Sequence, residues 1–193
     1  MLQDSENSTL TDIAPKEDPL AQRCRVELFK SDETTWNDIK DDILRIERAH
    51  FEEPFEEEEF VEAFNNPEIL AVLLKDTETG HVVGFTYALP AEISYNKDFH
   101  PERLNEVKAL DSKVAYIEDT AIDPEYMGHR LVVPLISTLE EALVNKGYGY
   151  FDRDSAVKHN YATNIAKIYG DRIIASHPHE SKYGDQVFFR IRL

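Results

Sequence analysis

A single cysteine, Cys24, stands in a chain of 193 residues. An internal disulfide is therefore impossible, and with no visible partner Cys24 is not expected to act as a nucleophile. No apolar run approaches the ~20 residues that a membrane-crossing helix needs. Basic residues are scarce, 21 against 38 acidic ones, and the net charge of −17 would repel nucleic-acid phosphates and anionic bilayers. Neither nucleic acid nor a membrane is expected as a partner. The same field would gather a cationic partner such as a polyamine or a lysine side chain, although an acidic surface also serves solubility. The stretch from Met1 to Gln22 lacks the basic start and apolar centre of a secretion signal and has few large apolar groups. It reads as a flexible tail, so the expected layout is a tail over 1–24, one domain over 25–193, and a cytoplasmic location.

What is present is an ordered alternation of periodicities. Arg25 to Phe29 alternates like a short strand, and Trp36, Ile39, Ile43, Ile46 and His50 fall on one helix face. A second helix is expected from Pro54, with Phe55, Phe60, Val61 and Phe64 inward. Ile69–Leu74 and His81–Leu89 read as a hairpin closed by Asp76 to Gly80, and Ser94–Ser112 as a polar insertion. Val114–Ile122 is the next strand, ended by Asp123-Pro124. A helix marked by Leu131, Leu135, Leu139 and Leu143 follows, starting near Leu131 or later because Pro134 is tolerated only in a first turn. Tyr148–Phe151, a helix ending at Tyr169, and strands at Ile173–Ala175 and Val187–Leu193 complete the order β-α-α-β-β-β-α-β-α-β-β. His177-Pro-His179 has no Cys or carboxylate at ligand spacing and reads as a loop; no metal site is expected.

The segment from Tyr116 to Gly128, Tyr-Ile-Glu-Asp-Thr-Ala-Ile-Asp-Pro-Glu-Tyr-Met-Gly, resembles the strand-to-helix signature of the GNAT (N-acetyltransferase) superfamily. Its Glu-Asp pair is similar to that of diamine (spermidine/spermine) acetyltransferases. The resemblance implies an α/β fold with a mixed sheet of about seven strands, a splay between the fourth and fifth, and about four helices. It also implies acetyl-CoA as co-substrate, an amine acceptor and, in many relatives, a homodimer. Amides of Thr120, Ala121 and Ile122 would then meet the pantetheine arm and the acetyl carbonyl. The loop Met127, Gly128, His129, Arg130 and Leu131 would hold pyrophosphate at a helix start. The loop departs from the family's alternating glycines, with Arg130 and Val132 where small residues are expected. Arg130 would either pair with a phosphate or plug the site, the latter leaving a degenerate, non-catalytic binding module.

The resemblance places Glu118 as general base and Tyr169 as general acid. The plainer alternatives are a Glu118 bonded to a neighbour and a core tyrosine. Strand alternation sends Asp119 to the face opposite Glu118, where it is either exposed or a contact for a cationic substrate. Glu52 and Glu53, with Glu56 to Glu59, fall where the acceptor groove lies in this superfamily, or form a solvated helix start.

Overall fold

Alternating apolar residues build seven strands, which the computed structural model, describing residues 18–97 and 101–193, joins into one mixed sheet. They are β1 (Cys24–Leu28), β2 (Leu70–Asp76), β3 (Val82–Pro90), β4 (Lys113–Ile122), β5 (Tyr148–Ala156), β6 (Ile173–Ser181) and β7 (Gly184–Arg192). Their spatial order is β1-β2-β3-β4-β5-β7-β6, and every neighbouring pair is antiparallel except β4 and β5. That parallel step is bridged by the helix α6 (Val132–Asn145), as a parallel pair requires a crossover.

One sheet face is covered by α2 (Trp36–His50) and α3 (Glu57–Phe64). Ile43, Ile46 and Phe60 are wholly buried there against Phe85 and Tyr87. Each such side chain contributes about 1.5–3 kcal/mol. The other face carries α6, whose Leu135, Leu139 and Leu143 pack on Val72 and Leu74, together with α7 (Tyr161–Tyr169). Thr35 opens α2 as expected of a cap, its amide donating to Asp38 Oδ2 at 2.8 Å. α3 opens later than Pro54, at Glu57, where the Glu56 amide donates to Glu59 Oε2 at 2.9 Å.

Three further helices were not expected. α1 (Pro19–Gln22) lies in the stretch read as tail: Asp18 Oδ1 accepts from the amides of Leu20 and Ala21, and Leu20 packs on the α6 side of the core. Cys24 opens β1, so ordered structure begins by residue 18, while residues 1–17 of the expected tail lie outside the described residues. The polar stretch after Pro90 forms α4 (Ala91–Lys97) and α5 (Pro101–Lys108). Tyr95 of α4 donates to Asp152 Oδ2 at 2.5 Å, and Arg103 of α5 pairs with Asp154 at 3.0 Å. These polar anchors act together with a small apolar cluster in which Ala91, Tyr95 and Val107 of the two helices meet Val114 and Phe188 of the sheet. His177-Pro-His179 is strand, not loop. β6 is an edge strand, where Pro178 need supply no ladder hydrogen bond.

Candidate active site

β4 and β5 pair only from Lys113↔Tyr148 to Tyr116↔Asp152. Beyond that point β4 stays with β3 as far as Gly84↔Ile122, and β5 stays with β7 as far as Ala156↔Gln186. The sheet therefore opens into a V whose inner edge on β4 is Ile117–Ile122. Ladder alternation decides which amides face this gap. The Asp123 amide donates to Val83 C=O at 2.9 Å, so the Ala121 amide, two residues earlier, also turns toward β3. Thr120 and Ile122 turn toward the gap. Of the three amides expected there, Ala121 is thus corrected to a ladder position, and the Thr120 amide already donates to Asp119 Oδ1 at 2.6 Å.

The residue before this pair breaks the alternation. Tyr87 pairs with Asp119 while the next β3 residue, Ala88, pairs with Ile117, leaving Glu118 as a bulge with no β3 partner. Both acids consequently face the α2–α4 side, and the expectation of opposite faces fails. Glu118 Oε1 accepts from Ser94 Oγ of α4 at 2.6 Å. Asp119 is not an exposed contact: it is 8% exposed and meets Glu47 of α2, itself 2% exposed. Glu47 Oε1 accepts from the Phe55 amide at 2.9 Å. Its Oε2 and Asp119 Oδ2 have no other partner. Two buried carboxyl groups meeting in this way share one proton. Burial, and then Glu47 beside it, hold the Asp119 carboxyl well above the usual range, and burial raises Glu47 as well. Burial first, and then the nearby acids Glu118, Asp119, Glu47 and Glu59, push up the Tyr87 phenol.

At the mouth of the V the turn Pro124–Tyr126 is held by Asp123, whose Oδ1 accepts from the Glu125 amide at 2.9 Å and whose other oxygen pairs with Arg45 of α2. Gly128 (φ 87°) and Arg130 (φ 57°) then adopt left-handed backbone. Met127 and Arg130 are exposed, Leu131 is buried, and His129 Nδ1 lies 2.6 Å from Asp18 Oδ2, which ties α1 to this loop. α6 starts at Val132 with no side-chain cap over its first turn. An uncapped helix start is an anion-accepting feature, narrowed here because the Val133 amide donates to Arg130 C=O at 3.1 Å and Pro134 carries no N–H. Arg130 makes no ion pair among the described residues.

The remaining candidates scatter. Tyr169 is 4% exposed, and its hydroxyl donates to Glu140 Oε1 of α6 at 2.8 Å, with Arg172 on the other Glu140 oxygen. Burial and Glu140 push its phenol well up. Glu52 and Glu53 are exposed in the α2–α3 loop, and Glu52 pairs with Lys158. Phe55 of the same loop meets Tyr183 of the β6–β7 turn edge-on, with ring centroids 6.0 Å apart. Glu47 and Ser94 were missed by sequence reasoning. Glu47, an acid on the apolar side of α2 between Ile46 and His50, was the one available signal. Among the described residues no group of His, Cys, Asp and Glu could hold a metal ion, and no helix is long and apolar enough to cross a membrane.

A mixed sheet split between its parallel strands, with an uncapped helix start at the opening, defines the acyl-CoA N-acyltransferase class of α/β fold. The sequence profile of the acetyltransferase (GNAT) family matches residues 36–164, and the chain belongs to that family. No curated protein matches the chain. Similar folds include Arabidopsis thaliana NAA60 in complex with a bisubstrate analogue, with a TM-score of 0.63 and 15% identity over 88% of this chain and 99% of that one. The NatC complex bound to Gag peptide and CoA gives a TM-score of 0.66 and 16% identity over 89% and 99%. The ribosomal-protein-S18-alanine N-acetyltransferase from Escherichia coli gives 0.59 and 14% over 88% and 93%. At such identities the likeness is one of fold.

Proposed function

We propose that the protein transfers an acetyl group from acetyl-CoA to the nitrogen of a cationic amine. The observation that carries this reading is the β4–β5 split, with Glu118 turned by a bulge to the same side as Asp119 at its inner edge. Acetyl-CoA fits the other side of the opening: its pyrophosphate would take the uncapped start of α6 and the loop Gly128–Leu131, with the exposed Arg130 within reach of a phosphate oxygen. The Ile122 amide, and that of Thr120 once Asp119 releases it, would face the acetyl carbonyl as its oxygen becomes negative.

Glu118 acts as the base in this reading. It accepts the proton that the amine nitrogen must lose, while Ser94 fixes its carboxylate. Glu118 and the exposed Glu53 favour a protonated amine on arrival, such as a polyamine, a lysine side chain or a peptide N-terminus. Tyr169 would have to surrender its bond to Glu140 before acting as the acid. Isothermal calorimetry with acetyl-CoA, followed by turnover on a panel of amines, tests the proposal; absence of binding would remove it. The second reading, a binding module without catalysis, is favoured by one observation, the capture of the Thr120 amide by Asp119. It is the outcome if acetyl-CoA binds but no amine is acetylated.

A further inference from the structure

Past its last pairing with β4, strand β5 carries two orphaned donors. Arg153 Nε is buried without a hydrogen-bond partner, and so is the hydroxyl of Ser155, a residue 4% exposed. Alternation from Phe151 places both on the α7 side of β5, where the Phe151 ring meets Tyr169 at 5.4 Å. The neighbouring arginines show that this fold pairs its buried cations: Arg103 holds Asp154, and Arg190 grips Asp152 through Nε at 2.8 Å and Nη2 at 2.7 Å. Arg153 makes no ion pair among the described residues. The groups acting on it are Tyr169 of α7, Tyr116 and Asp119 of β4, and Asp154 of its own strand, none within salt-bridge distance. Arg153 is half-buried, and an Nε–H sealed from solvent without an acceptor is costly unless an anion arrives to meet it.

We infer that Arg153 and Ser155 are a seat for the coenzyme A sulfur as it departs as a thiolate. The inference rests on the transferase reading above. In that reaction the amine lone pair forms the C–N bond, and the C–S bond breaks with its electron pair going to sulfur. The arriving ammonium first loses one proton to Glu118, which hands it to solvent, and the second proton, shed by nitrogen after the attack, leaves by the same route. The thiolate is the anion generated in the gap, and the guanidinium compensates its charge while the Ser155 hydroxyl donates to it. No proton from Tyr169, already donated to Glu140, is then required.

The test follows thiolate ultraviolet absorbance of free coenzyme A, bound to the wild type, Arg153→Met and Arg153→Lys, across pH. Bound to the wild type, the thiol should ionise about one pH unit or more below its value in solution. Arg153→Met should lose that shift and Arg153→Lys should keep part of it. Acetyl-CoA, which has no ionisable sulfur, should bind wild type and Arg153→Met with similar affinity. Because the orphaned Nε–H costs stability, Arg153→Met should melt no lower than wild type. If acetyl-CoA binds but Arg153→Met leaves the thiol titration unchanged, the inference is overturned and the transferase reading stands. If acetyl-CoA does not bind the wild type, both fall.

Discussion

Ser94 Oγ of α4 donates to Glu118 Oε1 at 2.6 Å, at the one β4 position where the bulge leaves no partner on β3. A hydrogen bond to the charged form of a carboxylate favours that form. Ser94→Ala is therefore expected to move the acid limb of the pH–rate profile to higher pH, with acetyl-CoA affinity retained. A profile that superimposes on that of the wild type would separate Ser94 from the base.

Removing the base itself should be more severe. Glu118→Gln is expected to lower turnover ~10²–10⁴-fold at neutral pH. Activity should recover toward high pH, where the amine is already neutral and needs no base. Steady-state rates across pH with the best acceptor check both statements.

The Glu47–Asp119 pair predicts a pH dependence of stability with a definite sign. Burial and Glu47 raise the Asp119 carboxyl, so above its unfolded value of about 3.9 the native state holds a proton that the unfolded chain has lost. Stability then falls as pH rises, by about 1.4 kcal/mol per unit, until the native pair releases its proton. Asp119→Asn supplies its own N–H donor to Glu47 and should flatten this slope. Urea unfolding of both proteins at several pH values measures it.

Arg130 separates a backbone role from a charge role. At φ 57° a non-glycine residue is strained, so Arg130→Gly is expected to keep the wild-type stability or gain up to about 1 kcal/mol. Arg130→Ala should weaken acetyl-CoA binding by ~1.5–3 kcal/mol if the guanidinium meets a phosphate. Calorimetry on both variants distinguishes a phosphate contact from a side chain that only points to solvent.

The parts of this architecture written in local periodicity were legible. Trp36, Ile39, Ile43 and Ile46 are all buried on α2, the hairpin turns between Asp76 and Gly80, and α6 begins where Pro134 allows. Helices α4 and α5 were not, because Tyr95 and Arg103 hold them through polar bonds to Asp152 and Asp154, whose distant strand no spacing rule reveals. The same limit hid the site's interior. Alternation along β4 put Asp119 opposite Glu118, and only the register against β3 exposes the bulge that turns both to one side. A buried carboxyl pair between residues 47 and 119, and an arginine orphaned on β5, are products of tertiary contact. The acids of the α2–α3 loop, by contrast, could be placed from sequence because they lie in solvent.

Four residue pairs, from Lys113↔Tyr148 to Tyr116↔Asp152, are the whole strand-to-strand seam joining β1–β4 to β5–β7. Each half is knitted internally by antiparallel ladders, so the weakest direction of the sheet runs through the opening between them, with α6 as a strut from one half to the other. The halves should flex about that seam as two stiff plates on a short hinge. In amide exchange the gap-facing group of Ile122 would be released before its ladder-bound neighbours. Anything lodged in the opening would act as a wedge that stiffens the entire domain, so occupancy should be audible in the protein's mechanics far from the point of contact.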